Sequence, residues 1–86
     1  QTIFYFLLDK FVDAVINYDT DKYQSVVNRK LITLISEDYK IIYHCFSKDK
    51  TDIEKLYLRL LLVTDYVCGM TDSYAKNLYQ ELNGIL

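Results

Sequence analysis

Thr51-Asp52-Ile53-Glu54-Lys55-Leu56-Tyr57-Leu58-Arg59-Leu60-Leu61-Leu62-Val63-Thr64-Asp65-Tyr66-Val67-Cys68-Gly69 carries both ends of one helix. Thr51 and Glu54 stand at the spacing of a capping box, in which the threonine hydroxyl meets the amide three residues on and the glutamate reaches back. The helical period places Ile53, Leu56, Tyr57, Leu60, Thr64 and Val67 on the inward face. Gly69 is expected to end the helix in the left-handed conformation, where a residue without a Cβ meets no steric penalty.

Working outward, the 86 residues contain no proline and only two glycines, Gly69 and Gly84. A sheet protein of this length draws on Gly and Pro for several tight turns, whereas a helical bundle needs few. The fold expected is therefore all-α, a compact bundle of about five short helices.

Before the Thr51–Gly69 helix, a first helix runs from about Ile3 to Asn17, with Phe4, Leu7, Leu8, Phe11, Val15 and Tyr18 at helical spacing. Ile3, Phe6, Val12 and Ile16 lie off that stripe, as expected for a helix buried between neighbours. Asp19-Thr20-Asp21 ends it and offers oxygens to cap a second helix, which carries Val27, Leu31, Leu34 and Ile35 on one face. Ser36 is placed to cap a third, with Glu37 and Asp38 at its positive end and a stripe of Tyr39, Ile42, Tyr43 and Phe46. After the Thr51–Gly69 helix, Thr71 caps a fifth with Asp72 in its first turn. Tyr74, Ala75, Leu78, Tyr79 and Leu82 form its apolar face, and Asn83-Gly84 closes it.

Composition narrows the function classes. Ten basic residues against twelve acidic give a net charge of −2, which argues against a nucleic-acid surface as the main role. The longest apolar run, Ile3 to Leu8, is far too short to cross a bilayer. The start lacks an initiator Met and a secretory signal, and enters apolar sequence almost at once, as a segment of a longer protein would. Cys45 and Cys68 are too few for a secreted disulfide scaffold and read as reduced thiols of a cytoplasmic protein.

No self-sufficient active site emerges. His44, the only histidine, is followed by Cys45, and on a helix two adjacent residues point about 100° apart, a poor start for sharing one metal ion. His44 is expected to be a partly buried structural residue. Cys68 lies in another helix, so a Cys–His nucleophile is not prepared by sequence. Asp52, Glu54 and Asp72 are explained by helix starts, while Asp65 lies inside a helix and reads as a solvated carboxylate or a partner for a cation elsewhere. Nine tyrosines and no tryptophan suit half-buried packing at core edges and interfaces.

The stretch Thr64-Asp65-Tyr66-Val67-Cys68-Gly69-Met70-Thr71-Asp72-Ser73-Tyr74-Ala75 resembles the C-terminal signature of the deoxyguanosinetriphosphate triphosphohydrolase (dGTPase) family, a branch of the HD-domain phosphohydrolases. That signature reads Asp-Tyr, an aliphatic residue, a small residue, Gly-Met-Thr-Asp, any residue, Tyr or Phe, then Ala. Leu78 to Leu82 is similar to the family's closing helix, and the close likeness spans about a third of the chain, from about Leu56 to Gly84.

The resemblance implies a parent enzyme that hydrolyses dGTP or another dNTP to deoxynucleoside and triphosphate. It also implies a divalent metal, Mg or similar, held by a His…His-Asp…Asp set. The resemblance implies that residues 1–86 are a single helical C-terminal domain or fragment, the C-terminal part of a larger helical protein. With one histidine and no His-Asp dipeptide, the catalytic HD domain is not expected in this chain and no metal is expected on this segment. No catalytic or metal-binding residue is carried over. Asp65, Tyr66, Gly69, Met70, Thr71, Asp72, Tyr74 and Ala75 carry over as motif residues with structural or interface roles. Asp65 and Tyr66 are expected to face the catalytic portion or a subunit interface, and Met70 to plug an irregular gap. Expected partners are the catalytic domain of the same chain, further copies in a homo-oligomer, and a dNTP substrate bound by the parent. The competing expectation is a free-standing helical interaction module with no nucleotide chemistry.

Overall fold

In the computed structural model, which describes residues 2–84, five helices follow one another: α1 (Thr2–Val15), α2 (Val26–Leu34), α3 (Glu37–Phe46), α4 (Asp52–Cys68) and α5 (Asp72–Asn83). There is no strand among the described residues, and the all-α expectation holds. α1 is the central helix and packs on α2, α4 and α5, while α3 packs chiefly on α4. Leu7, Phe11, Ala14 and Val15 recur every three to four residues along α1 and are all buried, which fits an element covered on several sides. They meet Leu31, Ile32 and Ile35 near α2, Tyr43 of α3, Leu62, Val63, Tyr66 and Val67 of α4, and Leu78 and Leu82 of α5 in one core.

Helix starts are fixed locally. Thr51 Oγ1 accepts from the Glu54 amide at 3.2 Å, and Glu54 Oε1 accepts from the Thr51 amide at 2.9 Å, completing the capping box. Thr71 Oγ1 accepts from the Tyr74 amide at 3.1 Å. The start of α2 differs from expectation: its cap is Ser25, whose Oγ accepts from the Asn28 amide at 3.0 Å, and not a member of Asp19-Thr20-Asp21. Those three belong to the turn after α1, where Thr20 Oγ1 donates to the Asn17 carbonyl at 2.6 Å and Asp19 takes a left-handed φ of 61°. Ser36 occupies the N-cap of α3 but makes no side-chain capping bond.

The ends of α1 and α2 are closed by side chains from elsewhere in the fold. A helix leaves its last carbonyls without intrahelical donors, and here there is little Gly or Pro to turn them back. Lys40 Nζ donates to Ile32 O at 3.1 Å, Tyr66 Oη to Leu34 O at 3.1 Å, and Arg59 Nε to Val15 O at 2.7 Å.

The inward faces of α3 and α4 depart from expectation. α4 buries Arg59, Leu62, Val63, Tyr66 and Val67, while Ile53, Tyr57 and Thr64 are exposed. Of the α3 stripe, Tyr43 is buried and Tyr39 half-buried, whereas Ile42 and Phe46 face outward. Leu56 to Val63 is apolar at nearly every position, so the period alone cannot choose a side; packing on α1 does. Among the described residues no helix is long and apolar enough to cross a membrane.

Candidate functional site at the helix–glycine–helix corner

Residues 65–75 form the junction of α4 and α5. Gly69 follows α4 with φ −83° and ψ −4°, a right-handed geometry, so the expected left-handed ending is not used. Its amide donates to Asp65 O at 3.0 Å, and the Met70 amide donates to Val67 O at 3.2 Å. The glycine matters through space: a Cβ there would stand 3.1 Å from Asp65 O and 3.3 Å from Tyr39 Oη. Met70 and Ala75 are half-buried against the core, which suits the flexible thioether to an irregular gap. Asp72 lies in the first turn of α5, where a carboxylate complements the positive end.

Tyr66 points into this chain's own core, contrary to the expectation of an outward face. It is 4% exposed and packs edge-on against Phe11 and Tyr39, with ring centroids 5.3 and 5.9 Å away. Its hydroxyl, besides donating to Leu34 O, shares a 3.0 Å hydrogen bond with Tyr74 Oη. Burial, followed by the Tyr74 hydroxyl, holds the Tyr66 phenol well above its ordinary range. Tyr74 is exposed beside a shallow hollow of about 230 Å³ that Tyr39, Tyr66, Gly69 and Thr71 help to line. Asp65 is exposed on the α4 surface. The motif thus unites Tyr66, Gly69, Met70, Thr71, Tyr74 and Ala75 in one packed corner, with Asp65 and Asp72 at its surface.

Sequence reasoning missed Arg59. It is 4% exposed, and its guanidinium donates to Val15 O (Nε, 2.7 Å), Ile16 O (Nη2, 2.9 Å) and Tyr43 Oη (Nη1, 3.2 Å). Tyr43 in turn donates to Asp19 Oδ2 at 2.9 Å. The cation faces the negative end of α1, which replaces a directly paired carboxylate. Burial raises the Tyr43 phenol and the hydrogen bond from Arg59 opposes it. An arginine between Leu58 and Leu60, inside an otherwise apolar run, was the signal in the sequence.

His44 is exposed, not partly buried. Its Nε2 shares a 2.9 Å hydrogen bond with Tyr18 Oη, and its ring lies edge-on to Tyr43 at 5.0 Å. Cys45 and Cys68 are exposed, unpaired thiols, although each is set in apolar sequence. Among the described residues no group of three or more His, Cys, Asp or Glu comes together to hold a metal ion, so a divalent metal does not fit the residues present.

The chain is thus a small helical bundle around one apolar core, with Lys40, Arg59 and Tyr66 closing helix ends. The family described as "Phosphohydrolase-associated domain" matches residues 15–81, and the chain belongs to that family. It is also similar to proteins of Listeria monocytogenes and Listeria innocua, each named "Deoxyguanosinetriphosphate triphosphohydrolase-like protein". Each is 53% identical over 81 residues, covering 92% of this chain and 17% of the relative. The chain therefore spans about a sixth of the length of these curated relatives. No solved structure matches it.

Proposed function

We propose that this chain is the C-terminal structural domain of a dGTPase-like dNTP triphosphohydrolase, whose parent reaction converts dGTP or another dNTP and water to deoxynucleoside and triphosphate. The observation that carries the proposal is the 53% identity, over 92% of the chain, to relatives named for that activity. In the parent, a divalent metal held by residues outside this chain supplies charge neutralisation and an activated water. The part played by these 86 residues is mechanical: α1 packs on α4, and the Gly69 corner sets the direction of α5. The domain packs on the catalytic portion of the same polypeptide, within a cytoplasmic homo-oligomer.

The test is made on the product of the full reading frame. With a divalent metal it should release triphosphate from a dNTP, and the 86-residue chain alone should release none. Turnover by the purified segment itself would overturn the proposal. So would a full frame lacking a His…His-Asp…Asp pattern, which would favour the free-standing interaction module.

A further inference from the structure

The α3–α4 face carries apolar surface that nothing among the described residues covers. α3 packs chiefly on α4, and two members of its apolar stripe remain outside, Ile42 at 55% and Phe46 at 65% exposed. Across from them Leu61 of α4 is 40% exposed. With Tyr39 and Leu58 these residues line a groove of about 240 Å³ whose one charged wall residue is Asp65. Apolar side chains scattered singly on a surface need no explanation, but a groove that gathers them does.

On the assignment proposed above, we infer that this groove seats an amphipathic helix from the remainder of the same polypeptide. That helix presents apolar residues at i, i+3 and i+4 to Ile42, Phe46 and Leu61, and sets a Lys or Arg against Asp65. Two observations select this occupant. First, the curated relatives extend far beyond the matched region, which is 17% of their length, so most of such a polypeptide lies outside these residues. A segment tethered to the bundle meets the groove at an effective concentration on the order of millimolar. A free partner or a second copy has no such tether. Second, a carboxylate on an apolar wall loses water when the wall is covered, and a cation opposite is what offsets that loss. Helix-in-groove packing between two helices supplies the geometry.

Hydroxyl-radical footprinting of the full-length protein, read by mass spectrometry, tests the inference. Labelling of Ile42, Phe46 and Leu61 should fall at least fivefold below the rate their exposure here gives. The protection should not change between submicromolar and tens of micromolar protein. Asp65→Lys should return labelling to within twofold of the exposed rate. Thr64→Lys, at the exposed neighbouring position, should not, and an unlabelled Phe11 reports that the core is intact in both. Unprotected groove residues would overturn the inference, as would protection lost on dilution (a second copy) or protection indifferent to Asp65→Lys. dGTP hydrolysis is assayed separately on the same protein. Protection without hydrolysis supports the groove assignment while ending the catalytic one, and hydrolysis without protection does the reverse.

Discussion

Arg59 of α4 closes the end of α1 by donating from Nε to the carbonyl of Val15, 44 residues earlier, at 2.7 Å. The same guanidinium reaches Ile16 O and Tyr43 Oη, so one side chain ties α1, α3 and α4 together. Removing it leaves Ile16 O without its donor, Val15 O with only the Tyr18 amide, and Tyr43 Oη with only its bond to Asp19, at a place where an unmade hydrogen bond costs more than a made one contributes.

Arg59→Met is therefore expected to lower stability by about 2–4 kcal/mol, since it keeps the apolar stem and deletes three donors. Arg59→Lys retains the charge but not the planar fork, and should recover less than half of the loss. Urea unfolding followed by circular dichroism reads both; an unchanged midpoint for Arg59→Met would remove Arg59 from the account of this fold.

Tyr66→Phe keeps the ring packing on Phe11 and Tyr39 and leaves Leu34 O without its donor. A loss of about 1–2 kcal/mol is expected, and a smaller one for Tyr74→Phe, whose hydroxyl is at the surface. The two should couple in a double-mutant cycle, because they share one hydrogen bond.

Alkaline pH supplies a separate test of the same residue. The Tyr66 phenol is raised by burial above its ordinary value of 10, and Tyr43 and Tyr18 are raised for the same leading reason. Above pH 10 the unfolded chain gives up these protons while the folded chain keeps them, so the unfolded state binds fewer. The stabilisation is complete below pH 10 and is lost as pH rises through the folded values. A plot of unfolding free energy against pH should bend downward from about pH 10, and less so in Tyr66→Phe.

Gly69→Ala tests whether the glycine serves handedness or space. Its φ of −83° suits any residue, yet a Cβ would press on the Asp65 carbonyl, which is backbone and cannot swing aside. A loss of about 1 kcal/mol is expected from crowding. Gly69→Asn, which would be tolerated in a left-handed ending, should be no better than Ala here. Tyr39→Phe in the Gly69→Ala background should restore part of the loss by removing the hydroxyl 3.3 Å away.

Thr71→Ala removes the cap of α5 and should cost about 1 kcal/mol, with Thr71→Ser close to neutral. In the capping box of α4, the hydrogen bond from the Thr51 amide holds the Glu54 carboxyl below its usual 4.5. That contribution is present above pH 4.5 and lost as pH falls through the lowered folded value. Glu54→Gln should flatten this part of the acid limb in the same unfolding measurement.

What the sequence made legible was local. Thr51, Glu54 and Thr71 act within three residues of themselves, and their bonds lie where the spacing placed them. Faces were harder. Between Leu56 and Val63 almost any stripe looks apolar, and only contact with α1 selects Leu62, Val63, Tyr66 and Val67 over Ile53 and Tyr57. Asp19 resembled a cap for the next helix, but its turn stops short and Ser25 takes the position, leaving Asp19 to receive Tyr43. At the corner the motif residues were readable as a set, while the inward direction of Tyr66 depends on a carbonyl 32 residues away. Arg59 stood out only as a charge in an apolar run; two of its three partners are main-chain oxygens, which no residue code announces.

The 44 residues separating Arg59 from Val15 also set a timetable for synthesis. As this stretch leaves the ribosome, the end of α1 lacks the arginine's bonds to Val15 O and Ile16 O until Arg59 itself emerges. Within these residues, α1 must therefore wait for a side chain made 44 positions later to complete its closure.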